Sequence, residues 1–173
     1  MYDLDEVVEA LATQFTDAFP VDTPTQRTIG REAEYPVVKA TGEAADARRL
    51  LEHLRATLGL EAHYDTGNPR LIVGADGDDY KYALEVGVGT IEVNTRPCHT
   101  LFEIQSIMVE AVLPVVRQAA YHGWRVLGYG IQPVSPPHIA IMSPKQRYQS
   151  LYRAMGAEWL WYTVTASDQC HVA

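Results

Sequence analysis

Apolar side chains recur every three or four positions in two segments near the start of the chain, residues 3–19 and 43–58. This spacing places them on one stripe and predicts two amphipathic helices. Gly59 follows the second stripe and suits the left-handed residue that often ends a helix. Between the two segments, residues 28–38 alternate between polar and apolar side chains and predict a β-strand.

Two capping boxes, in which Ser or Thr precedes Glu or Gln by three positions, predict two further helices. Residues 100–103 form the first box and open a long helix to about residue 121, which Pro114 should kink or split. Residues 143–146 form the second box, with a proline at the first helical position, and open a helix to about residue 155.

The remaining segments predict strands. Residues 61–96 contain apolar runs separated by turn residues, a pattern typical of an antiparallel meander, and residues 124–134 and 158–173 predict further strands. Because several strands follow one another directly, the order of elements predicts an α+β fold with a mainly antiparallel sheet and helices packed on one side. We expect a single domain, in which a helix and linker at 1–26 precede the sheet and helices of 27–173.

The composition excludes several functional classes. The 173 residues carry 14 Lys and Arg against 22 Asp and Glu, a net charge of −8 that argues against a nucleic-acid-binding protein. No apolar run reaches the roughly 18 residues of a membrane span, and the acidic N-terminus does not resemble a signal peptide. Two distant cysteines without an export signal indicate a cytoplasmic protein. The sequence also lacks a nucleophile elbow and a P-loop.

Acidic residues occur in two spaced pairs that could bind a cation. Glu32 and Glu34 are two positions apart on a predicted strand, so their carboxylates point to the same side about 7 Å apart. Glu85 and Glu92 flank a Gly-x-Gly that permits a tight turn and a close backbone approach. Carboxylate oxygens are the ligands that a hard divalent cation prefers. Each pair taken alone is also compatible with a solvated strand face.

Two segments near the C-terminus carry polar or charged side chains on one face. Residues 165–171 alternate, so that the face containing His171 is either an outer surface or the floor of a polar site. In the helix after residue 145, two tyrosines four positions apart share a face and have arginines beside them. Such a helix could clamp a carboxylate or phosphate, or could present ordinary surface charges. These helical candidates are Arg147, Tyr148, Tyr152 and Arg153.

Taken together, these motifs resemble the glutamate–cysteine ligase family, which is related to the other carboxylate–amine ligases of the glutamine-synthetase-like superfamily. The resemblance spans residues 28–173 and depends on four motifs in the family's order. They read Gly30-Arg-Glu32-Ala-Glu34, Leu84-Glu85-Val-Gly-Val-Gly-Thr-Ile-Glu92, Met142-Ser-Pro-Lys145-Gln-Arg147-Tyr148 and Thr165-Ala-Ser167-Asp-Gln169-Cys-His171.

The resemblance implies an enzyme that uses ATP to phosphorylate the side-chain carboxylate of L-glutamate. The amine of L-cysteine, or another amine, then attacks the acyl phosphate and forms γ-glutamylcysteine. It also implies a curved sheet, part of a glutamine-synthetase-like fold, whose concave wall holds Mg²⁺, for which Mn²⁺ can substitute. The residues that match metal ligands are Glu32, Glu34, Glu85, Glu92 and His171. Those that match the region contacting the amino-acid substrates are Arg147, Tyr148, Tyr152 and Arg153.

Two features depart from the family pattern. Family members are much longer, and they usually have an aspartate where this chain has Ala173. The resemblance therefore implies the N-terminal half of a ligase, with little activity alone. Its unpaired sheet edge would receive a complementary C-terminal half or a second copy. Two alternatives are a non-catalytic relative that binds an amino acid, nucleotide or protein partner, and an acidic domain whose carboxylates only decorate the surface.

Overall fold

The computed structural model describes residues 3–18 and 27–173, in which seven strands and four α-helices form the predicted α+β fold. The helices are α1 (Leu4–Asp17), α2 (Ala47–Leu58), α3 (Leu101–Tyr121) and α4 (Gln146–Met155). The strands are β1 (Ile29–Val38), β2 (Glu61–Asp65), β3 (Asn68–Asp76), β4 (Tyr80–Leu84), β5 (Thr90–Thr95), β6 (Arg125–Val126) and β7 (Asp168–Val172). Short 3₁₀ helices lie at Ile139–Ile141 and Gly156–Thr163.

The strands form one antiparallel sheet in the order β2-β3-β4-β5-β1-β6, and β7 also pairs with β1. β1 is the central strand. It pairs with β5 along one edge and with β7 and β6 along the other. This arrangement confirms the antiparallel meander predicted for residues 61–96.

The core lies between one face of the sheet and the helices α2 and α3. Leu50, Leu51 and Leu54 of α2 are at most 2% exposed, and each contributes roughly 1.5–3 kcal/mol by its burial. The buried face of α3 follows the same helical spacing. Because these two helices cover one face, the opposite face of β3, β4, β5 and β1 is left available for a cleft. The buried residues of α3 are Ile104, Ile107, Met108, Ala111, Val115 and Ala119.

Most of the predicted helix boundaries are confirmed. α2 begins a few residues later than predicted because the side chain of Asp46 caps it by accepting from the Arg48 amide, and Gly59 ends it with φ of 70°. The capping box of Thr100 and Glu103 is present at the start of α3. α1 forms as predicted and has no buried side chain among its described residues. The rest of the predicted N-terminal helix and linker, residues 1–2 and 19–26, lies outside the described residues.

Pro114 does not split α3, which continues from Leu101 to Tyr121. A proline in a helix removes one backbone donor, here the partner of the Glu110 carbonyl. Packing compensates for this loss, because Ala111 and Val115 are fully buried on either side of the proline. The predicted split at Pro114 is therefore wrong.

Two of the predicted strands are wrong over much of their length. Within 124–134 only Arg125 and Val126 are in a strand, since glycines and a proline interrupt the rest. The strand predicted for 158–173 is confined to β7, because residues 156–163 form a 3₁₀ helix that packs against α4. Aromatic residues there contact a neighbouring helix and do not alternate across a sheet.

The second capping box is also wrong. Ser143 is completely buried and its amide donates to Val86 O at 2.7 Å, so it belongs to the segment before the helix. α4 begins at Gln146, whose amide lies 3.3 Å from a carboxylate oxygen of Asp65 in β2. The helix is thus capped by a residue distant in sequence.

No described helix has the length and apolarity needed to cross a lipid bilayer.

Candidate active site

A cleft of about 600 Å³ lies on the face of the sheet that α2 and α3 leave open. Its floor is formed by side chains of β1, β3, β4 and β5. One wall comes from α4 and the 3₁₀ helix that follows it, and the other from residues 165–169. The four glutamates predicted as metal ligands all line this cleft: Glu32, Glu34, Glu85 and Glu92.

Glu34 and Glu92 are directly opposite each other on β1 and β5. The amide of Glu34 points away from β5, since it donates to Ser167 O at 2.9 Å. Glu34 and Glu92 are therefore a non-hydrogen-bonded pair, in which opposed Cα atoms lie about 4.5 Å apart and side chains are closest. Two carboxylates in this position repel each other.

A second row of polar side chains crosses the sheet beside this pair. Glu32 of β1 is opposite Asn94 of β5, and Asn94 is opposite Lys81 of β4. On the other side of β1, Gln169 of β7 is opposite Glu32. All four side chains line the cleft. The Asn94 Oδ1 atom is buried and has no hydrogen-bond partner among the described residues, so it is an unused oxygen acceptor.

Glu85 enters the cleft from the turn between β4 and β5. This turn packs closely against the backbone at Thr163, so that a Cβ atom added at Gly87 would overlap the Thr163 carbonyl oxygen. The predicted close backbone approach at the Gly-x-Gly is therefore present. Burial, followed by a hydrogen bond to Glu92 and the negative charges of Glu92 and Glu34, raises the pKa of Glu85 to about 8.

Cationic and phenolic groups from the start of α4 face the glutamates. The Lys145 ammonium is buried, donates to Leu84 O and lies 3.3 Å from the Tyr148 hydroxyl. Tyr148 in turn lies 3.5 Å from Glu85 Oε2. Burial lowers the pKa of Lys145 and raises the pKa of Tyr148. Arg147 also lines the cleft, exposed to solvent, with its guanidinium 5.3 Å from the ring centre of Tyr148.

Ser167 fastens the C-terminal segment to Glu34. Its amide donates to Glu34 Oε2 at 3.0 Å, and its hydroxyl donates to Oε1 at 2.7 Å. Gln169 Nε2 donates to the Ser167 hydroxyl oxygen at 3.0 Å. Both carboxylate oxygens of Glu34 therefore accept a hydrogen bond, and this glutamate joins the floor of the cleft to the wall formed by residues 165–169.

Three of the predicted site residues lie outside the cleft. The His171 imidazole is 3.6 Å from Glu32 Oε1 but lines a smaller depression of about 240 Å³ beside the cleft. Tyr152 packs against the small apolar cluster that contains Val86 and Met142. Arg153 is exposed on α4 and does not line the cleft. The structure thus brings together the four glutamates, Arg147 and Tyr148, and leaves His171 at the margin.

Three residues that line the cleft are not among the site residues predicted from the sequence. Asn94 becomes significant only through its register opposite Glu32. Ser167 lies on the alternating polar face predicted for residues 165–171, and its bonds to Glu34 give it a specific role. Lys145 is part of the third motif, but no sequence pattern indicates that it is buried close to Glu85. The alternation of Glu92 with Asn94 along one strand was a usable signal, since residues two apart share a face.

The four glutamates have the chemistry that a divalent cation requires of its ligands. They offer oxygen ligands, and their mutual repulsion would be relieved by a bound positive charge. Asn94 Oδ1 supplies a further oxygen without a competing partner. In residues 3–18 and 27–173, however, no three His, Cys, Asp or Glu side chains are already arranged as a metal site. Metal binding would therefore require rotation of side chains that line the cleft.

Comparison with known proteins supports a ligase assignment. No curated protein matched the chain. The sequence model of glutamate–cysteine ligase family 2 (GCS2), in contrast, matches residues 28–172, the part of the chain that contains the whole sheet and every residue of the cleft. The chain therefore belongs to glutamate–cysteine ligase family 2.

Proposed function

We propose that the cleft is the site of an ATP-dependent carboxylate–amine ligase that joins L-glutamate to L-cysteine or another amine. The observation that carries this proposal is the convergence of four glutamates on one cleft in a member of this ligase family. Repulsive carboxylates such as Glu34 and Glu92 reduce the stability of the fold. Their placement therefore favours a role in binding.

The four glutamates would hold Mg²⁺ or Mn²⁺. When bound, this cation would neutralise negative charge on the phosphate oxygens of ATP. Glu85 loses its proton more readily when a cation approaches, because the cation opposes the repulsion from Glu92 and Glu34. Asn94 adds a neutral oxygen, and His171 is close enough to Glu32 to orient it. The substrate carboxylate and the phosphates of ATP would occupy the same cleft.

Arg147 and Lys145 provide positive charge on the opposite wall. The exposed guanidinium of Arg147 can bind a carboxylate or phosphate through two parallel hydrogen bonds. Tyr148, held between Lys145 and Glu85, can orient a polar substrate group through its hydroxyl. Tyr152 supports this wall by packing beneath it, and Arg153 lies at its exposed side. Lys145, Arg147 and Tyr148 form the proposed amino-acid subsite, and Tyr152 and Arg153 lie outside the cleft.

The proposed reaction has two steps. A carboxylate oxygen of glutamate takes the γ-phosphoryl group of ATP and ADP leaves, which gives an acyl phosphate. The amine nitrogen then attacks the acyl carbon, inorganic phosphate leaves and the nitrogen loses a proton as the amide forms. Positioning and charge neutralisation are the main requirements of phosphoryl transfer, and the glutamate and arginine walls provide both.

Isothermal titration calorimetry with Mg-ATP and L-glutamate tests the proposal. We expect the wild-type chain to bind both, and the Glu34→Gln, Glu92→Gln double variant to lose Mg-ATP binding. Glu52→Gln, an exposed change on α2, is the matched control and should bind as the wild type does. ATP-dependent formation of γ-glutamylcysteine, followed by mass spectrometry, tests the chemical step separately.

A non-catalytic relative is the second candidate, and one observation favours it. The oxygens of Glu34 are already occupied by Ser167, and the described residues contain no preformed metal site. Under this alternative, Glu34 is a structural clamp. Binding of neither Mg-ATP nor glutamate in the calorimeter would support it and would contradict the ligase proposal.

A further inference from the structure

Asp65, at the end of β2, is a buried carboxylate that the proposed chemistry does not use. Among the described residues, only Asp65 and Lys145 are both charged and buried, with 8% and 9% of their surface exposed. A buried carboxylate is costly unless it is well hydrogen-bonded or paired with a cation. No described Lys, Arg or His forms an ion pair with Asp65. Its hydrogen bonds must therefore account for its position.

The hydrogen bonds of Asp65 join two segments that are distant in sequence. One carboxylate oxygen accepts from the Gly67 amide, in the loop between β2 and β3, at 3.1 Å. The amide of Gln146, the first residue of α4, lies 3.3 and 3.4 Å from the two oxygens. The loop also packs against this residue, since a Cβ atom added at Gly67 would lie 2.7 Å from Gln146 Cβ. The β2–β3 hairpin is thus docked on the first turn of α4.

A cap supplied by β2 has an effect that a local cap does not have. A local Ser, Thr, Asp or Asn satisfies free amides at the start of a helix but leaves the helix able to move as a unit. The N-cap residue of α4 is Lys145, whose side chain makes no capping hydrogen bond. Because Asp65 supplies the acceptor instead, the bond that caps α4 also fixes its start to the sheet.

The start of α4 has a second attachment, at the end of β4 and the turn that follows. The Ser143 amide donates to Val86 O at 2.7 Å, and the Lys145 ammonium donates to Leu84 O. β3 lies between β2 and β4 in the sheet, so these strands are two strand spacings apart, about 10 Å. One attachment alone would allow α4 to pivot, whereas the attachment through Asp65 adds a second point that fixes its orientation.

We propose that Asp65 is a positioning residue of the amino-acid subsite. By fixing the start of α4 to β2, it sets the positions of Lys145, Arg147 and Tyr148 in the cleft and thereby the affinity for the substrate carboxylate. This inference rests on the proposed function, which assigns those three residues to the subsite. Asp65 itself does not line the cleft, so it acts only through α4.

Arg147 depends most on this attachment. It is the second residue of α4, and its side chain is exposed. A guanidinium that binds a carboxylate through two parallel hydrogen bonds has a strict geometry, and a misplacement of about 1 Å can weaken such a site by about 100-fold. Tyr148 is also held by contacts to Lys145 and Glu85. Loss of the Asp65 carboxylate should therefore displace Arg147 more than Tyr148.

Calorimetric titration with L-glutamate, under conditions in which circular dichroism shows every variant to be folded, tests this role. Asp65→Ala removes both acceptor oxygens and should raise the Kd for L-glutamate by about tenfold or more. Asp65→Asn keeps an oxygen acceptor for the Gln146 amide, and Asn caps helices as well as Asp does, so its Kd should stay within about threefold of the wild-type value.

Thr100→Ala is the matched control, because it removes the cap of α3 on the other face of the sheet. It should lower the urea midpoint, as Asp65→Ala does, and leave the Kd for L-glutamate unchanged. If Asp65→Ala lowered the midpoint without changing the Kd, Asp65 would be a structural cap only and the proposal would be overturned. A Kd for Asp65→Asn as high as that for Asp65→Ala would also overturn it.

NMR spectra of the chain without ligand distinguish a failure of this inference from a failure of the proposed function. In Asp65→Ala, the Nε–Hε signal of Arg147 should shift strongly and the ring signals of Tyr148 less, and both should stay near their wild-type positions in Asp65→Asn and Thr100→Ala. If the wild-type chain bound no L-glutamate, the proposed function would fail, and these signals alone would decide whether Asp65 positions α4. An unshifted Arg147 signal in Asp65→Ala would refute the inference.

Discussion

Glu34 on β1 and Glu92 on β5 are directly opposed across the sheet. They form a non-hydrogen-bonded pair, the kind in which facing side chains are closest. Their charges also act on Glu85, whose pKa is raised first by burial, then by a hydrogen bond to Glu92 and by the negative charges of Glu92 and Glu34. A protein gains no stability from such an arrangement in the absence of a cation. Neutralising one carboxylate of this pair should therefore raise the free energy of unfolding and lower the affinity for a cation.

Replacing Glu92 by Gln tests this opposition. We expect the free energy of unfolding to rise by about 0.5 kcal/mol in metal-free buffer, since the neutral amide removes a like charge opposite Glu34. The affinity for Mn²⁺ should fall by about tenfold or more. Urea denaturation with EDTA gives the first quantity and Mn²⁺ electron paramagnetic resonance the second. Glu52→Gln should change neither, and an unchanged Mn²⁺ affinity in Glu92→Gln would exclude Glu92 as a ligand.

The raised pKa of Glu85 predicts a pH dependence of folding. A carboxyl group with a pKa near 4.5 in the unfolded chain and about 8 in the folded protein binds more protons when folded between these values. Its contribution to stability is complete below pH 4.5 and is lost as the pH rises through 8. Urea midpoints measured from pH 5 to 9 should therefore fall in the wild type more steeply than in Glu85→Gln. Parallel profiles for the two proteins would contradict the assigned pKa.

Local patterns predicted those elements whose signals lie within one segment. The leucine stripe of α2 and the left-handed Gly59 define that helix almost completely, and Thr100 with Glu103 fixes the start of α3. In these cases the residues that cap or bury an element are its own neighbours in sequence. The alternating strands of the meander were recognisable for the same reason.

Elements decided by distant contacts were not predictable in this way. Asp65 of β2 caps α4, so the nearby Ser143 was a misleading candidate. The aromatic residues after Gly156 have high strand propensity but pack against α4 in a 3₁₀ helix. Tertiary packing overrides intrinsic propensity when a buried surface is available.

The same division applies to the cleft. The spacing of Glu32 and Glu34 placed them on one face, and the order of motifs added Glu85 and Glu92. The four glutamates meet Lys145 because of the strand register and because a turn brings α4 over the sheet. No short sequence pattern indicates either of these features.

Replacing Tyr82 by Phe should weaken the contact between the sheet and α3. The Tyr82 hydroxyl is buried and donates to Ala111 O at 2.7 Å, three residues before Pro114. Phe keeps the ring but removes this bond, so we expect a loss of about 1 kcal/mol in the free energy of unfolding. Tyr64→Phe on β2, where the side chain is 52% exposed, is the control. Equal urea midpoints for the two variants would show that the hydrogen bond does not stabilise the protein.

Replacing Gly87 by Ala should disturb the cleft through the backbone. The added methyl group would overlap the carbonyl of Thr163, and neither backbone can yield without displacing the turn that carries Glu85. We expect a loss of about 1–3 kcal/mol in the free energy of unfolding, as for other overpacked sites. Mn²⁺ affinity should also fall, because the Glu85 carboxylate moves with the turn.

Gly128→Ala provides the matched control for this change. No heavy atom lies within 4 Å of the position that its Cβ would occupy, and its φ is not positive. The alanine there should alter stability by no more than about 0.5 kcal/mol, since it meets neither a clash nor backbone strain. If Gly87→Ala proved as stable as Gly128→Ala and bound Mn²⁺ equally well, the turn would not be held against Thr163. Close packing would then not be what positions Glu85 in the cleft.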